Sequence, residues 1–116
     1  MTDSLNTLQK LAQGLYDKKG LNIIAIDVRN ISTMTDFFLF VDGMASTHLL
    51  ALRNVVEETL REIGWSSPRV DGQKGDNWVV LDCLNIVVHL FDPKTRDFYR
   101  VEEVWKDGKI VPLELT

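Results

Sequence analysis

Trp78-Val79-Val80-Leu81-Asp82-Cys83-Leu84-Asn85-Ile86-Val87-Val88-His89-Leu90-Phe91-Asp92-Pro93-Lys94-Thr95-Arg96-Asp97-Phe98-Tyr99 is the stretch on which the fold turns. Its two runs of β-branched and aromatic residues, Trp78–Leu81 and Ile86–Phe91, suit a packed, pleated surface. Asp82-Cys83-Leu84-Asn85 between them has the length of a hairpin connection. Asp92-Pro93 then opens a helical turn, with Pro93 at its first position and Asp92 as its cap. Asp82, His89, Arg96 and Tyr99 are the polar groups in this apolar setting. Composition leaves open whether they build a binding surface or satisfy one another inside a core.

Outward from this stretch the periodicity changes. Leu5, Leu8, Leu11, Ala12 and Leu15 recur at three- and four-residue spacing, an amphipathic helix over Ser4–Lys19 with Gly20 as the left-handed residue after its end. Asn22–Val28 alternates as a strand, and Phe37–Val41 is a continuous apolar run, as expected of a strand covered on both faces. Ser46 or Thr47 caps a long helix to Ile63, whose inner stripe is Leu49, Leu52, Val56, Leu60 and Ile63, with Gly64 closing it. Arg69-Val70-Asp71 reads as a short strand, 72–77 as a loop, Val101–Trp105 as a further helical turn, and the segment from Asp107 as an extended polar tail. The order α-β-β-α-β-β-β-α gives a single α/β domain over residues 1–116, a mixed sheet of four to five strands with helices packed on it.

The bulk numbers exclude several functions. A chain of 116 residues with 45% hydrophobic and 26% charged residues buries one moderate core. A formal charge of −4 without a basic block argues against a free-standing nucleic-acid binder, which needs concentrated Lys and Arg. One cysteine, Cys83, excludes an intrachain disulfide and fits a reducing compartment. No apolar run reaches the roughly 20 residues of a membrane span, so a cytoplasmic protein without a membrane partner is expected.

Catalytic readings find little. His48, Cys83 and His89 match no zinc spacing, and no metal or cofactor is expected. Cys83 with His89 lacks a third orienting group and an oxyanion site. Gly43-Met44-Ala45-Ser46 leads into a helix like a phosphate-binding turn, yet neither a Walker lysine nor a dinucleotide glycine pattern accompanies it.

Gly75, Trp78, Leu81 and Asp82, then Ile86-Val87-Val88-His89-x-Phe91, then Arg96-x-Phe98-Tyr99, Glu102 and Trp105, resemble the signature of the Iojap family of ribosomal silencing factors. Thr35-Asp36-Phe37-Phe38 followed by Gly43 and Ser46 resembles the same family's upstream motif. The resemblance implies a nucleotidyltransferase-like fold. In such enzymes the glycine-serine turn precedes a strand with an Asp-x-Asp or Asp-x-Glu pair; no strand after Ser46 carries one, so the scaffold reads as one without catalytic carboxylates.

The resemblance further implies a non-enzymatic factor that binds the large ribosomal subunit through its ribosomal protein fourteen and sterically blocks joining of the small subunit. It implies a homodimer in the free state. Trp78, Leu81, Asp82, His89, Phe91, Arg96 and Tyr99 are then expected to line or support the docking face. Cys83-Leu84-Asn85 stands where relatives commonly carry Tyr/Phe-Gly-Asp, so the turn lacks a glycine and a carboxylate. The alternatives are a divergent nucleotidyltransferase-like enzyme using the Gly43–Ser46 turn, or a general protein-interaction adaptor.

Overall fold

The computed structural model describes residues 4–33, 35–71, 77–99 and 107–116. The turn expected over Val101–Trp105 lies outside the described residues, as does most of the 72–77 loop. In chain order the elements are α1 (Ser4–Asp17), β1 (Leu21–Asp27), β2 (Phe37–Asp42), α2 (Ser46–Glu62), β3 (Arg69–Asp71), β4 (Trp78–Asp82), β5 (Ile86–Phe91), α3 (Pro93–Tyr99) and β6 (Lys109–Val111). The strands form one sheet in the order β3-β4-β5-β2-β1-β6. β2 and β5 pair in parallel at its centre, and the other four pairings are antiparallel. A parallel pair requires a crossover, and the segment carrying α2 provides it.

The sheet has six strands, not the expected four to five. The extra one is β6, which pairs with β1 through Ala25–Val111, Ile26–Ile110 and Asp27–Lys109 where a polar tail was expected. Three residues at an edge, with Ile110 exposed, carry neither the length nor the alternation that marks a strand in sequence.

α1 and α2 cover one face. Leu8, Leu11, Leu15, Leu49, Leu52 and Leu60 interlock there with Leu39, Val41, Val88 and Leu90 from the central strands. Burying aliphatic side chains of this kind contributes about 1.5–3 kcal/mol each before entropy is subtracted. Ile26, Val28, Phe38, Phe40 and Phe91 form a second buried cluster from the opposite parity of the strands.

The helix ends differ from expectation in two places. α1 closes with Lys19, not Gly20, in the left-handed region at φ 70°. The Gly20 and Lys19 amides donate back to the Leu15 and Tyr16 carbonyls at 2.8 and 3.0 Å. Gly20 is required by proximity instead, since a Cβ there would meet Val41 Cγ1 at 2.7 Å and the Leu15 carbonyl oxygen at 2.9 Å. α2 starts after Ala45, whose extended backbone makes no side-chain cap. His48 instead fixes the chain just ahead of the helix: the Met44 amide donates to its Nδ1 at 2.9 Å, leaving Nε2–H to donate to the Lys18 carbonyl at 2.8 Å. The start of α2 is thereby fastened to the end of α1. At the far end of α2, Gly64 at φ 81° and the Trp65 amide on the Leu60 carbonyl complete the expected termination.

Candidate docking surface

Alternation along the strands sends Trp78 from β4, Val87, His89 and Phe91 from β5, and Phe38 and Phe40 from β2 to the face away from α1 and α2. Register places Phe40 beside His89 and Trp78 beside Phe91. The result is an aromatic sheet around one imidazole. His89 lies 5.2 Å from Phe40, 5.4 Å from Phe38, 6.0 Å from Trp78 and 6.3 Å from Phe91, centroid to centroid. Tilted pairs at such separations each add about 0.5–1.5 kcal/mol beyond area burial.

The Trp78 indole N–H donates to His89 Nδ1 at 3.1 Å. That bond requires an imidazole lone pair at Nδ1, so His89 must be neutral there. Burial supplies the condition: loss of hydration pushes the His89 pKa from 6.5 down to about 4. His89 Nε2 is buried and finds no hydrogen-bond partner among the described residues. Trp78 itself is only half-buried, so an apolar ring reaches the surface with its polar edge already fixed from within.

Arg96 closes one end of this face. From α3 its guanidinium donates to the Asn22 carbonyl at 2.6 Å and to Asp42 Oδ1 at 3.0 Å, and it lies over the Phe91 ring at 5.6 Å. Asn22, at φ 51°, also donates its side-chain amide to Asp42 Oδ2 at 2.8 Å. Arg96 and Asp42 are both buried, so the pair serves as an internal clasp between α3 and the sheet. Asp92 caps the helix that carries Arg96 as its sequence predicts, accepting the Thr95 amide at 2.7 Å.

Of the residues singled out in the sequence, Trp78, His89, Phe91 and Arg96 come together on this face. Leu81 does not join them: it has the other strand parity and is fully buried under the helices. Asp82 is exposed at the far end of β4, where its Oδ1 accepts the Leu84 amide at 3.0 Å. The side chain of Tyr99 lies outside the described residues. Asp82 and Arg96 do not meet, because Asp42 is the acid that Arg96 contacts. Asp42, Asn22, Phe38 and Phe40 were missed as parts of this face. The signal for three of them was present in the parity of β2, which puts 38, 40 and 42 on one side.

The turn Cys83-Leu84-Asn85 holds Leu84 at φ 73°, 72% exposed. The backbone there adopts the conformation glycine favours while carrying a branched side chain. Cys83 packs into the helix-side core, its thiol pushed up to about 12 by burial and then by the Asp82 carboxylate. His89 faces the other way, so the two form no nucleophile pair. Among the described residues no three of His, Cys, Asp or Glu gather as metal ligands. The Gly43 amide donates to the Phe91 carbonyl at 2.9 Å and the Met44 amide to His48, so two donors of the suspected phosphate turn are already engaged. Gly43 is also accounted for by packing, as a Cβ would come within 2.6 Å of Leu49 Cδ2.

The family described as ribosomal silencing factor during starvation matches residues 1–116. A ribosomal silencing factor of Halalkalibacterium halodurans is 31% identical over 107 residues, covering 92% of each chain. The chloroplastic Iojap protein of Zea mays is 28% identical over 97% of this chain, which spans 48% of that longer protein. A crystal structure of a Chromobacterium violaceum protein superimposes with a TM-score of 0.87 at 25% identity, covering 99% of this chain and 95% of the other.

Proposed function

The chain belongs to the ribosomal silencing factor family, whose relatives include the Iojap proteins, and we propose that it silences ribosomes by steric obstruction. In this reading it binds the large ribosomal subunit through ribosomal protein fourteen, occupies the face that meets the small subunit, and lowers translation without performing chemistry. It acts in the cytoplasm and is a homodimer when free.

The observation that carries the reading is the family match across residues 1–116. The geometry of Trp78 supports it. A half-buried tryptophan, held by the indole bond to His89 and backed by Phe91, loses little side-chain freedom on docking. Tryptophan is also enriched among residues that dominate interface energies. Arg96 and Phe91, buried, position this anchor, and Asp82 offers an exposed carboxylate on the same strand parity. The charge of −4 favours encounter with basic ribosomal proteins and orients docking more than it supplies affinity.

Sedimentation of a cell extract through a sucrose gradient tests the proposal. The chain is expected with the large subunit at low and moderate salt; absence from that peak under both conditions overturns it. Trp78→Ala is expected to weaken co-sedimentation about tenfold or more, as loss of an anchor residue does.

A further inference from the structure

The link between β2 and α2 is held by hydrogen bonds of two kinds. The Gly43 amide donates to the Phe91 carbonyl at 2.9 Å, and the Ala45 carbonyl accepts the Leu49 amide at 2.9 Å, both of them backbone bonds. Between these the Met44 amide donates to an imidazole, Nδ1 of His48, at 2.9 Å. An amide can only donate, so Nδ1 must present its lone pair and the ring proton must sit on Nε2. Nε2–H then donates at 2.8 Å to the carbonyl of Lys18, the residue that follows α1, where a helix leaves carbonyls without an internal donor.

The two bonds to this ring respond to a proton in opposite ways. Imidazole is the side chain whose charge ordinarily changes between about pH 5 and 8. A proton added at Nδ1 turns that nitrogen from acceptor to donor, and it then meets the Met44 amide donor to donor. The bond from Nε2–H to Lys18 survives and becomes charge-assisted. The helix dipoles act in the same direction, because a cation is disfavoured in the first turn of α2 and favoured at the end of α1.

The charged groups on the elements that meet there leave this bias in place. Asp17, Lys18 and Lys19 are exposed at the end of α1, and Asp17 accepts from Gln13. Asp42 ends β2 but is committed to Arg96 and Asn22, and Asp92 after β5 caps α3. The first charge after His48 on α2 is Arg53, paired with Glu57. Among the described residues no carboxylate pairs with the His48 ring.

We propose that His48 is an acid-operated latch on the turn 43–45: protonation releases the Met44 amide while the ring stays fastened to the end of α1. The part set free is at the surface, with Met44 69% exposed, and it continues directly from Asp42, the acid of the clasp. The device does not depend on the ribosomal reading.

An NMR titration of the full chain from about pH 8 to 5 tests it. At the alkaline end the His48 nitrogens are expected to report the Nε2–H tautomer. As the ring takes up its proton, the Met44 amide is expected to exchange with water roughly tenfold faster, relative to an unstructured amide at each pH, about the loss of one net hydrogen bond. The Gly43 amide is expected to keep its protection. In His48→Asn, whose side chain does not titrate, the Met44 amide is expected to show no such response. A Met44 amide that ignores the imidazole titration, a ring that stays neutral to the acid end, or the opposite tautomer at the start overturns the proposal. So does a loss at Met44 that the Gly43 and core amides share, which is unfolding and not a latch. The same loss in His48→Asn also overturns it, by assigning the response to another group.

Discussion

On the side of the sheet that carries α1 and α2, β2 and β5 contribute Phe37, Leu39, Val41, Ile86, Val88 and Leu90; on the other they contribute Phe38, Phe40, Asp42, Val87, His89 and Phe91. The first face is almost wholly hydrocarbon and answers to volume. The second holds an imidazole, an indole and an ion pair, each needing a partner at a set distance. The lesson is a division of labour: the aliphatic side makes the domain, and the aromatic side makes one particular shape of it.

The largest test of that contrast is the clasp. Arg96→Met is expected to lose about 4 kcal/mol in urea unfolding, because it leaves the buried Asp42 carboxylate uncompensated. Adding Asp42→Asn is expected to recover part of that loss, a coupling that a hydrocarbon contact would not show. On the aliphatic face Leu39→Ala is expected to lose about 3 kcal/mol through lost transfer energy and the cavity left behind, with no such rescue.

Acid separates the faces next. His89 is neutral in the fold down to about pH 4 and titrates near 6.5 when unfolded, so the unfolded chain binds the extra proton as pH falls. Stability is therefore full above pH 6.5 and declines between 6.5 and 4. The His89 contribution is expected to reach about 2 kcal/mol by pH 5. Unfolding free energies of wild type and His89→Gln, taken from urea titrations across that window, should diverge by this amount; parallel profiles would refute the assignment. Asp27, whose carboxylate is held low by the Arg29 hydrogen bonds, contributes stability lost only below the ordinary carboxylate range, outside the window. The smallest effect belongs to the turn: Leu84→Gly is expected to stabilise by about 0.5 kcal/mol in the same assay, relief of a left-handed leucine less glycine's added chain entropy.

Much of the aliphatic face was legible in the sequence, because helices and covered strands write themselves as periodicity: α2 with its Gly64 closure, the run Phe37–Val41, and the Asp92-Pro93 start of α3 all fell where the pattern placed them. The aromatic face was legible only by halves. Strand parity put His89 with Phe91, but the bond from Trp78 and the meeting of Arg96 with Asp42 join positions 11 and 54 residues apart, and no local pattern encodes which acid an arginine meets. β6 escaped because an edge strand held by backbone pairing needs few apolar residues of its own. The His48 staple escaped for a related reason: Ala45 stands at the cap position and offers no side-chain acceptor, and a histidine in the first turn ties the Met44 amide to the Lys18 carbonyl, 30 residues from that histidine in sequence.

The parallel seam between β2 and β5 has a consequence for synthesis. The run Phe37–Phe40 leaves the ribosome early, yet the strand that shields its inner edge begins only at Ile86. Until then this wholly apolar run has one neighbour, β1, and an open row of amides and carbonyls. The domain therefore cannot assemble hairpin by hairpin, and its centre closes late, when the second half of the chain arrives.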